Sequence, residues 1–469
     1  MTLIKAFPLA GGENGGMTHR ADLPSRTALA LAEARVPRYT SYPTAAQFGP
    51  IGEATYRGWL REGIRSSDSL SLYLHVPFCR ALCWYCACHA KPTRSVERVH
   101  AYSAALHAEA ALLAAALPVH AGVSHLHLGG GTPSILGPDG LRELMRALHR
   151  NFGLRPGAEI AIELDPRVLD EATAEVLGEL GFTRASLGVQ DIDPAVQARI
   201  GRPQPAALVE LAVERLRRAG IGGINIDLMY GLPTQTAAHI AASARFAGGL
   251  GADRLAVFGY AHVAWMKPHQ KAIDASTLPD AVARLEQAEA AEEVLVGMGY
   301  RALGLDHFAR PEDPLARAAT AGRLRRNFQG YTTDNAPVLL GLGSSAIGSL
   351  PGGHAGNALD ERRYAQAVAE GRLPVARGVA TTEEDRLRAR LIERVMCDFT
   401  LDLRPSDPAT RHVLRQALDR MAPLEEAGLV RREAGRLNVT PAGRRFVRQV
   451  AACFDAFQVP AAGRHSTAV

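Results

Sequence analysis

Four of the chain's six cysteines fall within ten residues, in the stretch CRALCWYCAC from Cys79 to Cys88. Cys79, Cys83 and Cys86 are spaced C-x3-C-x2-C, and Cys88 follows two residues later. Cys397 and Cys453 stand far from this group and from each other. A disulfide frame spreads its cysteines through a short secreted chain, whereas thiols this crowded point to metal or redox chemistry. Three arrangements compete. On a helix the first three thiols would share one buried face. A structural zinc site wants four nitrogen or sulfur donors; Cys88 and His89 could complete a set, but the separate second arm of such sites is lacking. Soft thiolates also select iron–sulfur clusters, which four cysteines normally hold. Three ligands would leave one iron open to a substrate or cofactor. The preceding strand-like run LYLHVPF and Pro77 place the cysteines on a loop after a strand, at the end where α/β barrels carry their chemistry.

The elements that position this loop follow a rhythm. Short apolar runs occur at 70–78, 124–128, 159–164, 184–189, 223–231 and 253–260, each ending near Gly, Pro or a polar residue, as strands do. Between them lie helical stretches. Residues 101–117 are Ala/Leu-rich, and 205–220 place Leu208, Leu211, Ala212 and Leu216 on one face with Gly220 as a C-cap. Six strands alternating with helices predict an α/β fold with a parallel sheet of right-handed units. Their number suits a partial (β/α)6 barrel better than a closed eight-unit one. The expected organisation is a flexible N-terminus over 1–35, a segment closing the site over 36–69 and the barrel over 70–310. A substrate-side extension over 311–375, a mostly helical, winged-helix-like domain over 376–458 and a flexible tail over 459–469 complete it.

The chain has 469 residues and a net charge of +5. No Lys/Arg block dominates, so nucleic acid is not an expected partner. The small excess fits an anionic small substrate. No run of about 18 apolar residues predicts a membrane span, and the apolar start is too short for a secretory signal. A cytoplasmic location is expected.

C-x3-C-x2-C after a barrel strand, with the aromatic Tyr85 before the third cysteine, resembles the radical S-adenosylmethionine superfamily. Further stretches resemble the oxygen-independent coproporphyrinogen III oxidases (coproporphyrinogen dehydrogenases): PRYTSYPT (37–44), LYLHVPFC (72–79), GGGTPS (129–134), IELDPR (162–167), SLGVQD (186–191), NIDLMYGLP (225–233), RNFQGYTT (326–333) and LGLGSSAIG (340–348). The likeness runs from about residue 37 to 458. It implies a [4Fe–4S] cluster on Cys79, Cys83 and Cys86, whose open iron holds S-adenosylmethionine and cleaves it to a 5′-deoxyadenosyl radical. The implied substrate is coproporphyrinogen III and the product protoporphyrinogen IX, two propionates becoming vinyl groups. Two S-adenosylmethionine molecules, a flavodoxin- or ferredoxin-type electron donor and a monomer are expected. Cys88 is implied not to be a cluster ligand. Where many relatives have Gly-Cys-Asn, this chain has Ala-Cys-His at 87–89, which puts the local loop shape in question. The alternative is a haem chaperone of the same superfamily, whose members usually lack the C-x-C ending and the RNFQGYTT segment.

Individual residues take on roles accordingly. Glycines at 129–131 let backbone approach a ligand closely, and the resemblance puts Gly130, Gly131 and Thr132 at the cofactor. Glu163, a carboxylate inside a barrel, needs hydrogen bonds and is expected to accept them from S-adenosylmethionine. By resemblance, Gln190, Arg202, Asp227 and Ala261 line a second cofactor site, and Tyr85 and Ile347 pack on an adenosyl group. Tyr73 and His75 share one face of the first strand and are catalytic candidates. Arg325 and Arg326 could meet the substrate's propionates and Phe328 its ring.

Overall fold

A computed structural model describes residues 30, 31 and 33–457. The expected tail at 459–469 and nearly all of the expected flexible N-terminus lie outside these residues. Six parallel strands stand side by side in chain order: β1 (Leu70–Val76), β2 (Val123–Gly130), β3 (Leu154–Leu164), β4 (Arg184–Gln190), β5 (Gly223–Tyr230) and β6 (Arg254–Gly259). Helices α1 (Val96–Ala116), α2 (Gly137–Phe152), α3 (Glu171–Glu179), α4 (Ala206–Arg218), α5 (Ala237–Gly249) and α6 (Ala281–Gly297) follow them in turn.

Period-two alternation divides each strand between two environments. On β1, Leu70, Leu72, Leu74 and Val76 are buried in a core shared with Leu106 and Leu113 of α1 and Leu144 and Leu148 of α2. Tyr73 and His75 occupy the opposite, interior face. Several of these helices start where a side chain caps them. Ser95 accepts from the Arg98 amide, so α1 begins five residues before the Ala-rich stretch. Asp170 and Asp280 cap α3 and α6 in the same way. On α4 the buried face is Val209, Ala212, Val213 and Leu216. Leu208, expected inside, is exposed, because the buried stripe is rotated by one residue.

The sheet is open and continues beyond the six strands. His307–Ala309 pairs antiparallel with β6, and Arg301–Leu303 pairs with it in turn. On the other side Val338–Leu342 runs parallel to β1. Ile347–Leu350, Gly353–Asn357, Val375–Ala380 and Gly49–Pro50 then follow, each antiparallel to the one before. Val375–Ala380 therefore belongs to the main sheet, and the helical C-terminal part begins with Glu383–Asp398 rather than at 376. That part adds helices, a three-stranded sheet containing the hairpin Val430–Glu433/Arg436–Val439, and its own apolar core. No helix among the described residues is long and apolar enough to cross a membrane.

Candidate active site

The chain leaves β1 at Pro77, pairs briefly at Phe78–Cys79 with Lys91–Pro92, and runs as a loop, not a helix, through the other three clustered cysteines. The loop is stitched down by backbone. Lys91 N–H donates to Pro77 O at 2.7 Å, Thr93 N–H to Cys79 O at 2.9 Å, and Trp84 N–H to Ile200 O at 3.0 Å. Gln270 and His269 reach the Tyr85 and Cys86 carbonyls at 2.8 and 2.7 Å. A cavity of about 300 Å³ opens at the strands' C-terminal ends. Cys79, Cys83, Tyr85, Cys86, Gly130, Gly131, Thr132, Glu163, Gln190, Arg202, Asp227 and Ala261 all line it, so twelve of the expected residues converge on one chamber, together with Cys88.

Two sulfurs receive hydrogen bonds. Thr132 Oγ1 donates to Cys79 Sγ at 3.5 Å. Arg202 Nη1 and Arg167 Nη2 donate to Cys83 Sγ at 3.3 and 3.5 Å. Asp165 balances both guanidiniums, at 3.3 and 2.6 Å, and burial is overcome by these partners so that its carboxyl sits below the usual range. The neighbouring Cys88 holds the Cys86 thiol below the usual thiol value, against the opposing effect of burial. Among the described residues no three His, Cys, Asp or Glu form a ready set for a single metal ion. An iron–sulfur cluster brings its own sulfides, so its thiolates stand farther apart than the ligands of one ion. Three thiols on one pinned loop, with donors aimed at two of the sulfurs, fit such a group, since hydrogen bonds to the sulfurs tune it.

The glycine turn is fixed by contact. A Cβ on Gly129 would meet the Glu163 carboxylate at 2.8 Å. Gly130 has φ +111° and faces the His75 ring, which a Cβ would meet at 2.6 Å. Glu163 accepts from Gly130 N–H at 3.0 Å and from His127 at 3.1 Å. Burial raises its carboxyl, but these bonds outweigh it and hold the group ionised below the ordinary value. Gln190 ends β4 at φ +71°, an uncommon conformation for a residue with a side chain. The register shifts there, and the turn lets its side chain line the chamber.

Tyr73 and His75 lie beside the chamber on β1 rather than in its wall. His75 Nε2 is 2.9 Å from the His89 carbonyl and so carries the proton. Nδ1 is then left to accept from the Tyr73 hydroxyl at 3.0 Å. Burial lowers the His75 pKa, which keeps the ring neutral. The chamber's lining does not include Ile347, which opens a strand two positions away from β1. Arg325 is exposed and bound to Glu393 at 2.8 Å, outside the chamber. Arg326 and Phe328 line two neighbouring cavities instead.

Asp227 sits on β5, and burial, helped by the nearby Glu163 charge, pushes its carboxyl up to about 7; Asn225, donating at 2.8 Å, opposes this. The folded chain thus keeps a proton that the unfolded chain releases from about pH 4. Asp227 contributes stability that is full below about pH 4 and is lost as pH rises towards 7. Glu109, on the buried face of α1 and also raised to about 7 by burial, titrates in the same window. Urea unfolding of the cluster-free chain from pH 4 to 7 should show stability falling, and Asp227→Asn should flatten part of that fall. An unchanged slope in the variant would contradict the assignment.

Some of the constellation escaped sequence reasoning. His127 was detectable, since the alternation in SHLHL puts it on the interior face of β2 opposite Leu126 and Leu128. Asp165, Arg167 and Arg38 lie in stretches noted for resemblance, but nothing in their spacing showed that they meet the cysteine loop.

The comparisons with known proteins agree with this geometry. The Radical SAM superfamily model matches residues 73–247, and the HemN C-terminal domain model matches 381–446. An oxygen-independent coproporphyrinogen III oxidase of Bradyrhizobium diazoefficiens is 47% identical, over 96% of this chain and 100% of its own. That of Escherichia coli is 38% identical, over 90% and 93%. The solved structure of coproporphyrinogen III oxidase (HemN) from Escherichia coli, described as a radical SAM enzyme, superposes with a TM-score of 0.84 at 36% identity, over 91% of this chain and all of that one. With its cysteine loop, glycine turn and carboxylates gathered at the mouth of an open six-unit barrel, the chain belongs to the oxygen-independent coproporphyrinogen III oxidase family of the radical SAM superfamily.

Proposed function

We propose that this chain oxidatively decarboxylates coproporphyrinogen III to protoporphyrinogen IX without oxygen. The observation that carries the reading is the single chamber uniting three pinned thiols, the Gly129–Thr132 turn and Glu163. At each of two propionates, the β-carbon loses a hydrogen atom. Carbon dioxide then departs and one electron passes to a separate one-electron acceptor, leaving a vinyl group. A [4Fe–4S] cluster on Cys79, Cys83 and Cys86, with S-adenosylmethionine, supplies the reducing electron and the hydrogen-abstracting radical.

The chain's own residues bind and orient. Glu163, kept ionised, accepts from the cofactor's ammonium group, and the bare backbone of Gly130 and Gly131 lets that group come close. Thr132 and Arg202 support the cluster thiolates. Tyr85 packs on an adenosyl group. Gln190, Asp227 and Ala261, lining the same chamber, serve a second S-adenosylmethionine. Tyr73 and His75 act as positioning residues, through the contact of the His75 ring with Gly130. Arg326 and Phe328 face the substrate, whereas Arg325 is committed to Glu393. A flavodoxin- or ferredoxin-type donor, a monomeric state and a cytoplasmic location complete the reading.

Equilibrium dialysis of the anaerobically reconstituted chain should find two S-adenosylmethionine molecules per chain. Gln190→Ala should weaken one of them by about tenfold, the cost of a lost hydrogen bond to a charged group. A single site, unaffected by the substitution, would remove the second cofactor from the account.

A further inference from the structure

The reacting chamber is not isolated. It shares Arg38, Phe258, Gly259 and Tyr260 with a second cavity of about 340 Å³. That vestibule shares Thr40, Arg326 and Phe328 with a third, of about 470 Å³, which runs beneath the 39–42 segment. Among the described residues, Arg38, Arg284, Arg326 and Arg448 line the vestibule against one carboxylate, Asp306. Asp306 is itself bound to His307 at 2.7 Å.

Two of these guanidiniums are held by backbone carbonyls and, among the described residues, form no ion pair with a carboxylate. Arg38 Nη2 donates to Gly259 O at 3.2 Å. Arg326 donates to Tyr39 O at 3.3 Å and Arg38 O at 3.2 Å, and its buried Nη1 has no partner. The crowding is felt nearby. Burial and then the Arg38 charge lower the Arg284 pKa. Burial, Arg38 and Arg326 bring Arg448 down to about 9. Concentrated like charge is costly, and a multivalent anion seated among these groups would relieve it. Arg is suited to the task because its planar fork grips a carboxylate with two parallel bonds.

We propose that Arg38 and Arg326 form a carboxylate clamp for a propionate that does not react, and that Arg38, standing at the junction, thereby places a neighbouring propionate in the chamber. This rests on coproporphyrinogen III being the substrate. The four carboxylates of that molecule surround one macrocycle, so a grip on one of them in the vestibule fixes which other reaches Cys79–Cys86.

The test is a cycle between protein and substrate. Reconstituted wild type, Arg38→Gln and Arg38→Lys are assayed with coproporphyrinogen III and with the two analogues in which one non-reacting propionate is an ethyl group. Arg38→Gln should raise KM for the full substrate about ten- to a hundredfold, as loss of a charged hydrogen-bonded contact does, and Lys should recover part of it. One analogue should be equally poor with wild type and Arg38→Gln, because the carboxylate that Arg38 holds is already gone. Unchanged KM in Arg38→Gln, or losses that multiply with both analogues, would overturn the clamp while leaving the reaction intact. A purely structural role for Arg38 would depress turnover of all three substrates alike and would also overturn it. Failure of wild type to convert coproporphyrinogen III would instead overturn the substrate reading, and the clamp with it.

Discussion

Cys83→Ser should fold, lose its iron and make no vinyl product. The serine hydroxyl still accepts from Arg202 and Arg167, which now meet Cys83 Sγ at 3.3 and 3.5 Å. The ionic network with Asp165 therefore survives, and Arg202 Nη1 keeps an acceptor. What disappears is the soft ligand, since iron–sulfur clusters are held by thiolates. Iron per chain should fall from about four to near zero after anaerobic reconstitution, with product at the level of buffer. Cys88→Ala should keep its iron, because the account leaves Cys88 outside the ligand set. Iron retained in Cys83→Ser, or lost in Cys88→Ala, would reassign the ligands.

Gly131→Ala acts on the same centre through backbone. A Cβ there would lie 2.4 Å from Phe78 O and 2.7 Å from its carbonyl carbon. Neither side can yield easily. Gly131 N–H donates to Val76 O at 2.8 Å and Thr132 N–H to Phe78 O at 2.7 Å, so the turn and the start of the cysteine loop are one unit. Overpacking of this kind costs about 1–3 kcal/mol, sometimes more, and here the strain falls on the residue before Cys79. We expect at least a tenfold loss of product formation with poor cluster loading, read by iron content and turnover. Gly222→Ala is the control, since a Cβ there meets nothing within 4 Å; it should behave as wild type. Full activity in Gly131→Ala would show that the turn does not need its close approach.

Local pattern carried much of this to the reader of the sequence. The six strands lie where period-two and apolar runs placed them, because each carries buried apolar residues with a turn residue after it, although β3 begins at Leu154, ahead of its apolar run at 159–164. The cysteine loop and Glu163 were legible for a related reason, as their chemistry is written in residue type next to a strand end. Non-local pairing was not legible. Gly49 faces Gly378 across the sheet, and the short, Gly-rich strands between 338 and 380 have too little side-chain pattern to announce themselves. Partner choice was equally hidden. Arg325 and Arg326 are adjacent and alike, yet alternation on a two-stranded hairpin sends one to Glu393 and the other into the vestibule. The Arg38 junction depends on a contact with Gly259, 221 residues away, which no spacing rule reaches.

Anaerobically reconstituted chain is incubated with coproporphyrinogen III, S-adenosylmethionine and a one-electron reductant, and the tetrapyrroles are followed by mass. The predicted result is two successive losses, each of one carbon dioxide and two hydrogens counted on the neutral acid, through a tricarboxylate intermediate to a dicarboxylate. Cleavage of S-adenosylmethionine with no vinyl product, together with tight binding of haem, would contradict it and make the chain a carrier rather than an oxidase.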